Sequence, residues 1–289
     1  MKKIFLFLVL ISIFTLSCKN KKEEEKQEIP KDTAKITEPF IPSLPEGQDS
    51  SYITDTADYG QNVKQDTNFN LQQILSKYLN AMGMAKFRKI QTKIMYGKTY
   101  AGGRVVTFKN IYKRPDKSYA FVDYGDKKLY QGYNGEKGWR LYTPESDVPL
   151  YVYDDQLKAI KDQSEFDDIL VTYKNKGYKL VPFGTAQFEG KKVYRLKMIN
   201  EGMSETYFFI DARDYKLLKT LTKITYINNE GDYETIYKDY RMVDGIMVAF
   251  QVEEIANNES YSRIILDSIK FNQNVDDKIF EKPDSAPNY

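Results

Sequence analysis

Three pairs of adjacent aspartates, Asp154-Asp155, Asp167-Asp168 and Asp276-Asp277, are the first candidates for acid–base chemistry in this 289-residue chain. A working carboxylate pair must converge across one cleft at about 5–10 Å. Neighbours on a strand point to opposite faces, so none of the three makes a natural dyad. Helix caps and turns account for all of them. The chain contains no histidine. That removes Ser-His-Asp and Cys-His mechanisms and every histidine-ligated metal site. No phosphate-binding glycine loop or nucleophile-elbow motif is present. Carboxylate-pair, Ser-Lys or oxygen-ligated metal chemistry is all that composition leaves open. The expectation is a binding protein with no catalytic residue, no metal site and no cofactor.

The single thiol, Cys18, ends a hydrophobic leader and begins a charged stretch. Lys2 and Lys3 open the leader, an apolar run follows from Ile4 to Phe14, and Thr15-Leu16-Ser17 precedes the cysteine. A basic start, a short apolar core and small or apolar residues before a cut describe a secretory signal. The run from Ile4 to Leu16 covers 13 residues, short of the ~20 needed for a spanning helix. A cysteine just past the cut resembles a bacterial lipoprotein signal, where the thiol receives a diacylglycerol and the new terminus is acylated. Thr15 departs from the leucine usual at that position. The resemblance implies a signal over 1–17, membrane attachment through lipidated Cys18, and an outer-membrane lipoprotein facing the periplasm or the cell surface.

Removing 17 of 289 residues leaves 272, which suits one large domain or two small ones. Losing Lys2 and Lys3 takes the formal charge from +2 to zero. A neutral chain has no electrostatic footprint for nucleic acid. With one cysteine, no disulfide can form within the chain. The 24 Tyr and 16 Phe fit a strand-rich protein, or an amphipathic ligand surface.

Residues 18–67 read as a tether. The run KNKKEEEKQE and prolines at 30, 39, 42 and 45 bury too little apolar surface to offset chain entropy. About 50 flexible residues reach ~40 Å. The acidic run Glu23 to Glu25 resembles surface-export signals of Bacteroidetes-type lipoproteins; a solvated linker explains it equally.

From residue 68 the pattern becomes regular. Leu71, Ile74, Leu75, Tyr78, Leu79 and Met82 form one apolar stripe, predicting a helix over 70–82 capped by Asn70 and stopped by Gly83. Strands are expected at 91–100, 104–113, 118–125, 128–133 and 138–142, separated by Gly102-Gly103, Arg114-Pro115-Asp116-Lys117, Gly125-Asp126 and Asn134-Gly135 turns. A helix over about 154–164, capped by Asp154 or Asp155, and a bridge over 166–173 follow. Further strands are expected at 178–183, 192–200, 204–211, 215–228, 233–242, 247–257 and 260–272, as a sheet wet on one side and curled or closed. Residues 284–289 are a tail.

The order of these segments, with YLNAMGMAKFRKIQT, KRPDK, YNGEKGW, DQSEFDDILVTYKNKGYKL, YFFIDARDYKLLK, DYRMVDGIMVAFQVE and VDDKIFEKP as markers, resembles the LolA/LolB-like superfamily in its outer membrane lipoprotein-sorting branch. The resemblance covers 68–283. It implies a mainly β (α+β) fold: an unclosed antiparallel half-barrel whose concave face is covered by helices. Between the two layers it implies an apolar cavity for lipid acyl chains or an acylated lipoprotein. Regulators in the same superfamily sense mislocalised lipids or proteins, so an interaction or sensor module is the alternative.

Candidate lining residues are Phe108, Tyr112, Phe121, Leu196, Met198 and Phe250, with Tyr130 on the early strands. Which of the aromatics point inward depends on register. Trp139 either lines the cavity or plugs a hairpin base. Arg114 could meet a lipid phosphate, for which its planar fork is suited, or sit in a surface turn.

Overall fold

A computed structural model of the chain describes residues 69–199, 204–226 and 229–287. Cys18, the signal and the tether lie outside the described residues. The first element is α1 (Leu71–Ala81). Asn70 caps it as expected, its side chain accepting from the Gln73 backbone N–H at 3.1 Å. Gly83 follows with φ 73°, and a Cβ there would lie 2.3 Å from the Gly245 carbonyl oxygen. A short α2 (Met84–Phe87) comes next.

Six strands then run as a meander: β1 (Thr92–Ala101), β2 (Arg104–Lys113), β3 (Lys117–Asp123), β4 (Lys128–Tyr133), β5 (Gly138–Tyr142) and β6 (Leu150–Val152). After α3 (Asp154–Gln163) and α4 (Ile169–Thr172), seven more follow: β7 (Lys179–Phe188), β8 (Lys191–Ile199), β9 (Ser204–Asp211), β10 (Leu217–Tyr226), β11 (Asn229–Val243), β12 (Ile246–Ala256) and β13 (Glu259–Phe271). All thirteen form one antiparallel sheet in the order β6-β5-β4-β3-β2-β1-β13-β12-β11-β10-β9-β8-β7. It does not close. The fold is a mainly β half-barrel with helices on one face.

Several local expectations differ. Strand β6 was not foreseen, because three residues after Pro149 carry too little periodicity. Neither Asp154 nor Asp155 caps α3; the N-cap is Tyr153, and both acids sit in the first turn, where the helix dipole favours them. The bridge 166–173 holds α4, capped by Asp168 through the Leu170 N–H at 2.7 Å. Tyr215 lies in a turn at φ 60° rather than opening a strand.

The sheet is wet on one side only over its middle strands, where Arg263, Asp267 and Lys270 of β13 are exposed; toward both ends it is buried on both faces. On the helix-bearing face, α1 and α4 pack Ile74, Leu75, Tyr78 and Leu170 against Leu180, Leu196, Met198, Phe208 and Ile210. Helix α3 covers Tyr133 and Val152 with Ile160. The opposite face carries two further clusters. Ile111, Tyr119, Tyr130, Trp139 and Leu141 lie under Val275 and Phe280 of the C-terminal segment, which turns through a 3-10 helix, Asp277–Phe280. Val193, Tyr207, Phe209, Leu218 and Leu221 pack with Phe183 and Phe188. Over these rings lie the charged ends of Arg195 and Lys219, each within 5.5 Å of a ring centroid. Cationic side chains there cover apolar surface with their methylenes and stack on aromatics. Alternation along β9 thus gives two buried faces, and nearly every residue from Ser204 to Asp211 is buried.

The C-terminal segment should therefore be structural. Phe280 is fully buried, and its carbonyl accepts from Trp139 Nε1 at 2.9 Å. Phe280→Ala is expected to cost about 3–5 kcal/mol, the usual range for a buried phenylalanine. Urea titration followed by Trp139 fluorescence would check it. An unchanged midpoint would mean the segment merely rests on the sheet.

Candidate functional site

The helix-bearing face brings most of the predicted lining residues together. Phe108, Val122, Phe250, Val252, Ile264 and Leu266 form one apolar cluster in the bend of the sheet. Leu196 and Met198 belong to the cluster beneath α1 and α4. Tyr237 packs against both, so the two are continuous. Tyr112 joins the first to a third group around Ile90, Phe166 and Phe271. Leu196 is completely buried, Phe108, Met198 and Phe250 are at most 6% exposed, and Tyr112 is half-buried at the edge of the cluster. In this form of the protein the apolar band is filled by its own side chains.

Phe121 and Trp139 do not share that face. Strand alternation puts Phe121 opposite Tyr130, and both pack in the cluster under the C-terminal segment. Trp139 sits there too, its ring filling the space over Gly132, where a Cβ would lie 2.3 Å from Nε1. Of the two readings for Trp139, the structure places it at a hairpin base, as a plug. A shallow depression on this opposite face, lined by Phe183, Arg195, Tyr207, Phe209, Leu221 and Lys223, has no room even for a water molecule.

Arg114 is committed elsewhere. Its guanidinium forks onto Asp167, with Nη1 2.6 Å from Oδ2 and Nη2 2.5 Å from Oδ1. Its Nε donates to the Ile90 carbonyl at 2.7 Å, and the Phe166 ring lies 4.3 Å away. A bidentate fork with a third bond leaves little for a ligand. Arg114 instead ties the end of β2 to the segments before β1 and α4.

Polar groups that sequence reasoning missed are set into the same face. Tyr78 donates to Asp168 Oδ2 at 2.5 Å, fastening α1 to the start of α4. Burial raises the Asp168 carboxyl above its ordinary value, against the lowering effect of the Tyr78 and Leu170 bonds. Tyr240 donates to the Leu217 carbonyl at 2.5 Å. Lys93 lies among Tyr112, Phe166 and Phe87, with its ammonium 4.3, 4.8 and 5.9 Å from the ring centroids. Desolvation lowers its pKa from 10.5 to about 8. Glu254, 5% exposed, faces the interior beside Ser262 and Thr235. Burial pushes its carboxyl up to about 7. Among the described residues no cluster of acids or thiols could hold a metal ion. The only sequence signal for these positions was register. Lys93 and Glu254 occupy the inward phase of their strands, in line with the buried Met95 and Val252.

No protein-family model matches the chain, and no curated protein matches its sequence. Solved structures do share its fold. A LolA superfamily protein from Nitrosomonas europaea superposes with a TM-score of 0.50 at 13% identity, over 74% of this chain and 98% of that one. A domain assigned as an outer membrane lipoprotein-sorting protein, from Vibrio parahaemolyticus, gives 0.51 at 11% identity, over 73% and 97%. A DUF1329 family protein from Desulfovibrio piger gives 0.51 at 15%, over 72% and 97%. Identities this low establish the fold and nothing finer.

The buried carboxyl makes stability depend on pH. The folded pKa of Glu254 exceeds that of the unfolded chain, so the native state holds the extra proton. Its favourable contribution is full below about 4.5 and is lost as pH rises through about 7. Glu254→Gln is expected to shrink the stability difference between pH 4.5 and pH 8 by on the order of 2 kcal/mol. Denaturant midpoints for both proteins at the two pH values would show it. Parallel changes would mean that Glu254 is hydrated.

Proposed function

From the fold it shares with the LolA superfamily, we propose that this protein binds acyl chains of a lipid or of an acylated lipoprotein between its helices and its sheet, in the bacterial cell envelope. The observation that carries this reading is the continuous apolar band on the helix-bearing face, running from Leu196 and Met198 through Tyr237 to Phe250 and Phe108. The band is covered by two small helices rather than by a second sheet. Methylene groups need no directed partners, and each one buried contributes about 0.8 kcal/mol. Such a ligand can replace the apolar side-chain contacts; the polar contact it would have to part is the Tyr78–Asp168 bond. Membrane attachment through lipidated Cys18 makes the role that of an anchored acceptor or resident binder. The names of two structural neighbours, a LolA superfamily protein and a lipoprotein-sorting domain, support this class of ligand.

One observation favours a second reading, an interaction module. Strand β6 is an edge of the open sheet, and Val148, Leu150, Tyr151 and Tyr153 around it are exposed. Apolar side chains on an open edge suit strand addition by a partner.

Native mass spectrometry with lipid extraction, on chain lacking residues 1–18, separates the two. Acyl binding predicts a co-purifying lipid. Its occupancy should fall several-fold in Phe250→Ser and stay unchanged in Leu221→Ser, an equally buried change on the opposite face. An empty protein that stays empty after incubation with lipid would overturn acyl binding and leave the edge reading.

A further inference from the structure

Lys93 and Asn110 are two unspent hydrogen-bonding groups on the helix-bearing face, and they lie side by side. In the β1–β2 register Lys93 pairs with Tyr112, and Asn110 pairs with Met95. Asn110 is thus the diagonal neighbour of Lys93, about 7–8 Å away between backbones. Both point to the same side, since Tyr112 meets the Lys93 ammonium and Phe108, Asn110 and Tyr112 share one phase of β2.

Each lacks what its chemistry requires. The Lys93 ammonium has three donors, and among the described residues it donates only to the Phe166 carbonyl, at 3.3 Å. The nearest carboxylates are spent. Asp167 gives both oxygens to Arg114, and Asp168 gives its two to Tyr78 and the Leu170 N–H. Asn110 is 2% exposed, and its Oδ1 has no hydrogen-bond partner. Its cross-strand neighbours are Met95 and Ala120, which can offer none. A buried amide oxygen without a donor costs about 1–3 kcal/mol. A cation short of acceptors beside an acceptor short of a donor calls for a group that supplies both.

We propose that Lys93 and Asn110 form the headgroup end of the binding face. They would take a phospholipid whose phosphate oxyanion accepts from the Lys93 ammonium and whose adjacent hydroxyl or ammonium donates to Asn110 Oδ1. This rests on the acyl-binding reading and names the lipid class for it. Phosphate beside glycerol or ethanolamine fits; phosphate beside a quaternary amine satisfies Lys93 alone; a headgroup without phosphate satisfies neither in full. The rings of Phe87, Tyr112 and Phe166 stand around the ammonium, and partial desolvation strengthens a charge-assisted bond to phosphate. The competing occupant is an ordered water bridging the two groups.

The test uses the full chain in mild detergent, incubated with vesicles of diacylglycerol, phosphatidylcholine, phosphatidylglycerol or phosphatidylethanolamine, with bound lipid counted by native mass spectrometry. Phosphatidylglycerol and phosphatidylethanolamine should bind about tenfold better than diacylglycerol and several-fold better than phosphatidylcholine. Lys93→Met, which keeps an apolar stem among the rings, should erase the advantage over diacylglycerol. Asn110→Leu should erase only the advantage over phosphatidylcholine. Thermal melts confirm that both variants fold. The preference should fade as pH rises through about 8, where Lys93 loses its proton; Asp167, Asp168, Arg114 and Tyr112 are the other titratable groups facing it. Equal binding of all four lipids would overturn the headgroup site, assigning the pair to water, while leaving acyl binding intact. Free glycerol phosphate competing at micromolar concentration would overturn the lipid assignment. Failure of every lipid to bind, diacylglycerol included, would overturn both.

Discussion

Everything in this molecule hangs on the pairing of its first strand with its last. Strands β1 and β13 run antiparallel from Lys93 opposite Phe271 to Tyr100 opposite Arg263. Without that ladder the chain would be two separate meanders, β1–β6 and β7–β13, each with two open edges. Closing a loop of well over a hundred residues costs entropy that grows only slowly with length, and one long ladder offsets it. Gly97 shows how tight the seam is. A Cβ there would lie 2.4 Å from the Ile265 carbonyl oxygen and 2.6 Å from the Phe108 ring. The register shift between Tyr96 and Gly97 bends the strand where Phe108 must fit. The bend brings Val122 of β3 and Phe250 of β12 into one cluster, although three strands lie between theirs in the sheet.

That seam also positions the polar groups of the helix-bearing face. Lys93 begins the ladder opposite Phe271, and Phe87, Phe166 and Phe271 gather around it. Arg114 then locks the surrounding segments through Asp167 and the Ile90 carbonyl. The neighbouring residue, Asp168, holds α1 through Tyr78. Two adjacent acids thus do two jobs: one clamps β2, the other fastens a helix. Neither is half of a catalytic dyad, because each carboxylate has its own partner on a different element.

Much of this was legible in the sequence. The stripe from Leu71 to Met82, the Asn70 cap and the Gly83 stop predict α1 to within a residue. Hairpin turns such as Gly102-Gly103 and Asn134-Gly135 fix β1–β2 and β4–β5, because few other residues tolerate the positive φ they need. Three features were hidden for physical reasons. Strand β6 is too short to show a period. The second buried face of β8–β10 is roofed by Arg195 and Lys219, whose charges read as solvent-facing although they lie over rings. The faces of Phe121 and Trp139 follow from a register that no local pattern sets, since the C-terminal segment covering them lies about 140 residues downstream of Trp139. Arg114 was read as a planar fork suited to a lipid phosphate, or as a surface turn residue; its anion is a carboxylate of the chain itself. That the anion is Asp167, 53 residues on, depends on how α4 is brought to the end of β2.

The filled interior bears on how such a face can bind anything. Helix α1 buries Ile74, Leu75 and Tyr78, and α4 buries Leu170. Lifting these four side chains off the sheet would forfeit roughly 1.5–3 kcal/mol each, about 6–12 in total. A sixteen-carbon acyl chain entering in their place would return about 12 kcal/mol at 0.8 per methylene. The difference leaves a single chain a net gain of about 0–6 kcal/mol after opening the layer. A second chain would find the interface already open and add its full contribution. On this arithmetic, and under the proposed acyl binding, the face stays closed until a ligand enters and diacyl ligands are favoured over single fatty acids. The Tyr78–Asp168 bond raises the threshold further, because parting it strands a buried carboxylate. Selectivity for two chains would then come from the stability of the helix layer itself and would require no permanently empty cavity.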